Sequence, residues 1–201
     1  MSTRDQILDA AAYLFVTTGY SHCTTREIAA RVGIRQASMY HHFRSKAQLL
    51  QVLMMSSIMP SLEVAQRLCT PEAVAADPLA TLYALIVADV RTLAALPHNA
   101  AILYDLPDVR EHPDFADFRA QREHLTTIYG SIAAKVTTAM PEHTAGVLVM
   151  QLVESVIRFR TAETFRAEDE DVIASACLGT LMVNHEQIAA TAHRAHALLY
   201  F

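Results

Sequence analysis

Hydrogen-bonding side chains crowd one short stretch of this sequence. Residues 24–43 read TTREIAARVGIRQASMYHHF, and apolar residues recur through them at helical intervals. Ala29 is followed four residues later by Gly33. A small residue there lets a second helix approach the first, and a glycine is free to make the turn between them. Ile28, Val32, Ile34 and Met39 fall where two helices so joined would lock together. Arg35, Gln36, Ser38, Tyr40, His41 and His42 are then left on the outer face of the second helix. Their chemistry suits a nucleic acid duplex. Arg can fork to guanine and Gln to adenine in a major groove, while Tyr and His reach phosphate oxygens.

Charge at first argues the other way, because the chain of 201 residues has a formal net charge of −5. The charge is unevenly divided. Residues 1–50 hold six basic groups against three acidic ones, a net of +3, which leaves −8 on the remainder. That is the pattern of an anion-binding head on an acidic body. Lys46 adds to it: a cation at the start of a helix opposes the helix dipole, and an anion bound there, such as a DNA phosphate, resolves the conflict.

The elements that must position these residues are helical. Ile7, Leu8, Ala11, Leu14 and Phe15 mark one apolar face of a first helix, with Thr3 and Gln6 as its capping box and Gly19 beyond its end. A second box, Thr24 with Glu27, opens a short helix closed by Gly33, and a third helix runs from about Arg35 to His42. Ser45 caps a fourth beginning at Lys46, which Pro60 should kink or break. Asp77-Pro78 opens a helix ending before Pro97. The prolines of 97–113 leave room for one short helix, about Ala100 to Asp105. Asp114 opens a long helix to about Ala139, and Pro141-Glu142 another to about Arg160, within which Glu154 and Arg158 have the spacing of an ion pair. The acidic run Glu168 to Asp171 starts a helix reaching about Asn184, and a last one spans His185 to Leu199. The pattern contains no convincing strand. The fold class expected is all-α, a three-helix helix-turn-helix head on a larger helical body, about nine to ten helices in total. The head takes residues 1–47 and the body 48–201.

From Thr24-Thr25-Arg26 through Gly33-Ile34 to Tyr40-x-His42-Phe43-x-Ser45-Lys46-x-x-Leu49, the sequence resembles the TetR family of bacterial transcriptional regulators. The resemblance is specific over the first quarter of the chain and extends beyond it in length and helical layout only. It implies that Thr25, Tyr40, His42 and Lys46 hold phosphates, that Arg26, Gln36, Ala37 and Ser38 face bases, and that Phe43 is core. With Thr24, Arg35 and His41 these make up the DNA-facing set. Arg35 departs from the family, which often has a polar helix cap such as Ser there, and Ala47 replaces the more usual Glu.

A regulator of this kind also needs paired heads and a signal input. The helix at about 142–160 is apolar nearly all round, and the one at about 168–184 carries Ala174, Ser175, Ala176 and Gly179, small enough for close approach. The resemblance implies that these two build the seam of a homodimer, which demands a near-palindromic double-stranded operator. Tyr83, Leu103, Tyr104, Phe115, Phe118, His124, Tyr129 and Met150 are the candidates to line a pocket for a small, largely apolar effector that releases DNA. An alternative is a metal-responsive regulator using His193 and His196, one helical turn apart, with His185 nearby.

Other classes find little here. The chain has no G-x-S-x-G, H-E-x-x-H, phosphate loop or dinucleotide fingerprint, so an enzyme is not expected, nor a cofactor. Cys23, Cys69 and Cys177 form no C-x-x-C and suit reduced thiols in the cytoplasm. Asp5 and Asp9 spoil a signal peptide, and charges interrupt each apolar stretch, so no membrane partner is expected.

Overall fold

The computed structural model describes residues 1–95, 103–104, 107–161 and 164–199, and every element among the described residues is helical. Helix α1 (Thr3–Thr17) starts one residue earlier than its expected box. Ser2 is the cap: its hydroxyl accepts from the Asp5 amide, and the Asp5 carboxylate accepts from the Ser2 amide at 3.1 Å. A carboxylate serves there better than the Gln6 amide, because the helix dipole favours negative charge in the first turn. Helix α2 (Thr25–Val32) has the expected Thr24–Glu27 box. Gly33 caps its end at φ 78°, a left-handed conformation that requires glycine although the space around it is open. Helix α3 (Gln36–Tyr40) follows with no side-chain cap from Arg35.

Helix α4 (Lys46–Leu68) is capped by the Ser45 hydroxyl, which accepts from Gln48 N at 3.0 Å. Of the kink or break expected at Pro60, the break does not occur: the helix runs through it. A proline removes only one ladder donor, and the helix beyond it is anchored by buried Leu62 and Ala65. Helix α5 (Pro71–Ala76), which the pattern did not announce, precedes α6 (Pro78–Ala95). The Asp77 carboxylate caps α6 through Ala80 N at 3.0 Å, as the Asp-Pro pair implied. The short helix expected at 100–105 falls largely outside the described residues. Beyond it come α7 (Pro107–Arg110), a 3-10 turn at Pro113–Phe115, and α8 (Ala116–Val136).

The expected helix at 142–160 is two, α9 (Glu142–Glu154) and α10 (Val156–Thr161), parted at Ser155. Glu154 and Arg158 therefore share no continuous helix, and their expected pairing gives way. Glu154 forks instead with Arg122 of α8, at 3.0 Å and 2.7 Å. Helix α11 (Asp169–Thr180) stops short of Asn184, and Met182 turns the chain at φ 64° before α12 (His185–Leu198).

The chain packs as two units. The first holds residues 1–58 and 96–120, with Phe15, Ile28, Met39, Phe43, Leu49 and Phe115 buried within it. The second holds residues 59–95 and 121–201, built around α6, which packs against α11 and α12. By length and composition α6 is long and apolar enough to cross a bilayer, yet 61% of it is buried, which marks a core helix. Its two charges are satisfied within the unit. Asp89, 2% exposed, accepts from Ser61 Oγ of α4 and from Tyr129 OH of α8 at 2.7 Å, and Arg91 forks onto Glu170. Helices α8 and α9 cross with backbones almost touching. A Cβ on Gly130 would lie 2.6 Å from the Glu142 carbonyl oxygen, and one on Gly146 would overlap that of Thr126.

Candidate nucleic-acid interface

The helix-turn-helix is assembled by burial on one side and left open on the other. Ile28 and Met39 are fully buried, and Val32 and Ile34 half-buried, so α2 and α3 are locked as the spacing implied. Arg26, Arg35, Gln36, Ala37, Tyr40, His41 and His42 all face solvent, with Thr25 and Ser38 partly so.

Three of these residues are already tied together. Gln36 Nε2 donates to Thr25 Oγ1 at 2.8 Å, and the Tyr40 hydroxyl lies 3.3 Å from the same oxygen. The first residue of α2 thereby orients two side chains of α3. An ordered Gln amide loses less rotamer freedom when it meets a base edge than a free one would. Thr24 stands apart from this set: its hydroxyl accepts from Glu27 N and donates to Glu27 Oε2, so it is occupied as a helix cap.

Lys46 stands apart more sharply. Its ammonium donates to the carbonyls of Tyr20 at 2.8 Å and Cys23 at 3.0 Å, and lies 4.4 Å from the centre of the Tyr20 ring. The cation that opposes the dipole of α4 is thus balanced from within the chain. It fastens the start of α4 to the loop joining α1 and α2, and so helps fix where α2 begins. Tyr20 in turn meets Phe15 and Phe115 edge-on at 5.2 Å and 6.4 Å. Burial, with the nearby Asp114 charge, pushes the Tyr20 phenol up from its ordinary value. Sequence reasoning missed Tyr20 because a lone aromatic beside a glycine carries no periodic signal.

The eight residues nominated for an effector pocket divide equally between the two units. Leu103, Tyr104, Phe115 and Phe118 belong to the first unit, where Tyr104 and Phe118 pack edge-on. Tyr83, His124, Tyr129 and Met150 belong to the second. There Tyr83, Tyr129 and Met150 are packed core, whereas His124 is exposed. Tyr83 donates to Asp171 Oδ1 at 2.8 Å, and His196 Nε2 meets the same oxygen at 2.8 Å. That engagement removes a ring nitrogen from the His193, His196 and His185 set, and no group of three potential metal ligands gathers among the described residues.

A helix-turn-helix joined to an otherwise helical chain defines the class, a helix-turn-helix protein with an all-α body. Residues 7–53 match the family described as bacterial regulatory proteins, tetR family. The crystal structure of AmtR from Mycobacterium smegmatis is similar at 38% identity and a TM-score of 0.81, covering 96% of this chain and 94% of that one. The chain belongs to the TetR family.

Among curated relatives, the HTH-type transcriptional repressor KstR2 of Mycolicibacterium smegmatis is 44% identical over 50 residues, 25% of this chain and 24% of that protein. The repressor of the same name from Rhodococcus jostii is 35% identical over 103 residues, 50% of this chain and 48% of that protein. The chain therefore spans between a quarter and a half of the length of these relatives.

Proposed function

We propose that this chain is a transcriptional regulator, most simply a repressor, that binds a near-palindromic DNA operator as a homodimer and is released by a small effector. The observation that carries this reading is the outer face of α2 and α3. Exposed Arg26 and Arg35 flank a Gln36 whose amide is already ordered by Thr25, the arrangement expected of a surface that reads base edges. The repressor names of its relatives agree with it. Arg26, Gln36, Ala37 and Ser38 face bases in this reading, and Tyr40 and His42 meet phosphates. Lys46 acts by holding the loop before α2, with its remaining proton directed to phosphate.

The second half of the reading rests on exposed apolar side chains in the last third of the chain. Val147, Leu148 and Phe159 on α9 and α10 are 37–42% exposed, and Val172 on α11 is 62% exposed. On α11, Val172, Ala176 and Gly179 are exposed along one side, and a Cβ on Gly179 would meet nothing within 4 Å. A second copy covering these helices removes that apolar surface from water.

Selection of duplexes from a random pool, followed by fluorescence anisotropy, tests the function. Enrichment of an inverted repeat supports it. Thr25→Val should then weaken binding to that site a few-fold and relax the preference at the base Gln36 reads, with the melting temperature unchanged. Recovery of no common sequence at moderate salt overturns the reading.

A further inference from the structure

A cavity of about 360 Å³ opens in the second unit between the end of α4, α5, α6 and the last turn of α12. None of the eight residues nominated from sequence lines it. Its volume falls within the range of small-ligand sites. Its walls come from helix faces: Val64, Arg67 and Leu68 follow the i, i+3, i+4 rule on α4, and Ala88 and Arg91 stand one turn apart on α6. Leu198 of α12 closes one side. Two arginines from different helices thus line one otherwise apolar space.

The charges in this space do not cancel. Arg91 forks onto Glu170 at 2.6 Å and 2.5 Å, and the Glu170 side chain is only 13% exposed, so that pair is fixed and nearly neutral. Arg67 has no carboxylate within ion-pair distance among the described residues, and is exposed. One positive charge remains beside an apolar wall. Recognition of a carboxylate by a planar guanidinium fork is strong and directional, whereas the alkyl lining gives nothing to a second polar group.

We infer that this cavity binds a small carboxylic acid with an apolar tail, its carboxylate held by Arg67 beside the Arg91–Glu170 pair and its tail against Val64, Leu68, Ala88 and Leu198. The inference deepens the effector half of the proposed function and rests on that reading for its regulatory meaning. It places the ligand away from the packed aromatic core, and it gives the ligand a charge.

Octanoate, octan-1-ol and octylammonium, which share a tail and differ in head, are the probes. Calorimetric titration of each into the full-length chain should find octanoate tightest, by about tenfold over octanol. Arg67→Gln, a change at an exposed position, should reduce octanoate binding to the octanol level and leave octanol unaffected. Ala88→Phe, which fills the cavity, should abolish binding of both.

Equal affinity for all three heads, a preference for octylammonium, or octanoate binding that ignores either substitution would overturn the site. The duplex selection above is run without octanoate. A chain that binds octanoate through Arg67 yet enriches no DNA sequence keeps the site and loses the regulator. A chain that enriches a sequence yet ignores octanoate does the opposite.

Discussion

Replacing Asp89 by Asn should flatten the pH dependence of stability in the acid range. Asp89 sits in the second unit at 2% exposure, with the hydroxyls of Ser61 and Tyr129 as its partners. Burial pushes its carboxyl up from 3.8 to about 6, and the Glu154 charge adds to the rise, while the two donated hydrogen bonds oppose it. The folded chain therefore holds this proton more tightly than the unfolded chain does. The stabilisation is complete below 3.8 and is lost as the pH rises through about 6.

At roughly 1.4 kcal/mol per tenfold, that gap corresponds to about 3 kcal/mol, of which about 2 kcal/mol disappears between roughly pH 4.5 and 7. An Asn side chain has no proton to lose, so the variant should lack this component while keeping the side-chain volume. Urea unfolding of both chains at several pH values and one protein concentration reads the difference between their slopes. Other titrating groups are common to the two and cancel. The absolute stability of the variant is not the test, because its amide must find a new acceptor. Parallel profiles from pH 4.5 to 7 would refute the reasoning, since they would mean that Asp89 titrates alike in the folded and unfolded chains.

Three further outcomes follow from particular contacts. Lys46→Met removes two bonds to loop carbonyls and the contact with the Tyr20 ring, and should cost about 1–2 kcal/mol in thermal or urea unfolding. An unchanged stability would mean that the ammonium is spent on another partner. Gly146→Ala drives a methyl group into the Thr126 carbonyl at the crossing of α8 and α9, and should cost more than about 3 kcal/mol, whereas Gly179→Ala should be tolerated in the monomer. Circular dichroism melts of both compare them directly. Val172→Glu places a charge in the exposed apolar face of α11, and sedimentation velocity should find the dimer dissociated with the monomer still helical; a dimer of undiminished affinity would move the seam elsewhere.

Local signals were read correctly from the chain where short-range chemistry sets the outcome. The Thr24–Glu27 box, the left-handed Gly33, the Ser45 cap and the Asp77 cap each depend on residues within four positions of one another. The locking of α2 on α3 through Ile28 and Met39, eleven positions apart across one tight turn, follows from the same short-range pattern, and with it the outward face of the helix-turn-helix. Where two local candidates competed, electrostatics decided: Asp5 at the third position drew the first cap to Ser2 and away from Thr3.

The polar and small residues were another matter. Glu154 could be matched with Arg158 on spacing, yet its carboxylate meets Arg122, 32 positions away, because the helix between the expected partners is interrupted. The near-contact of backbones within the chain falls at Gly130 and Gly146, which meet Glu142 and Thr126 on the facing helix. Lys46 read as a cation awaiting an outside anion, and the fold supplies it with two carbonyls of its own chain. A cap or a turn is satisfied by its neighbours in sequence. A buried carboxylate, an ammonium or a glycine at a helix crossing is satisfied by whatever the packing brings to it. Local chemistry was enough to set most of the helices, several of their caps and the exposed face of α2 and α3. The tertiary structure alone decided which charges pair, which backbones touch and where a cavity is left, because those depend on partners tens of residues apart.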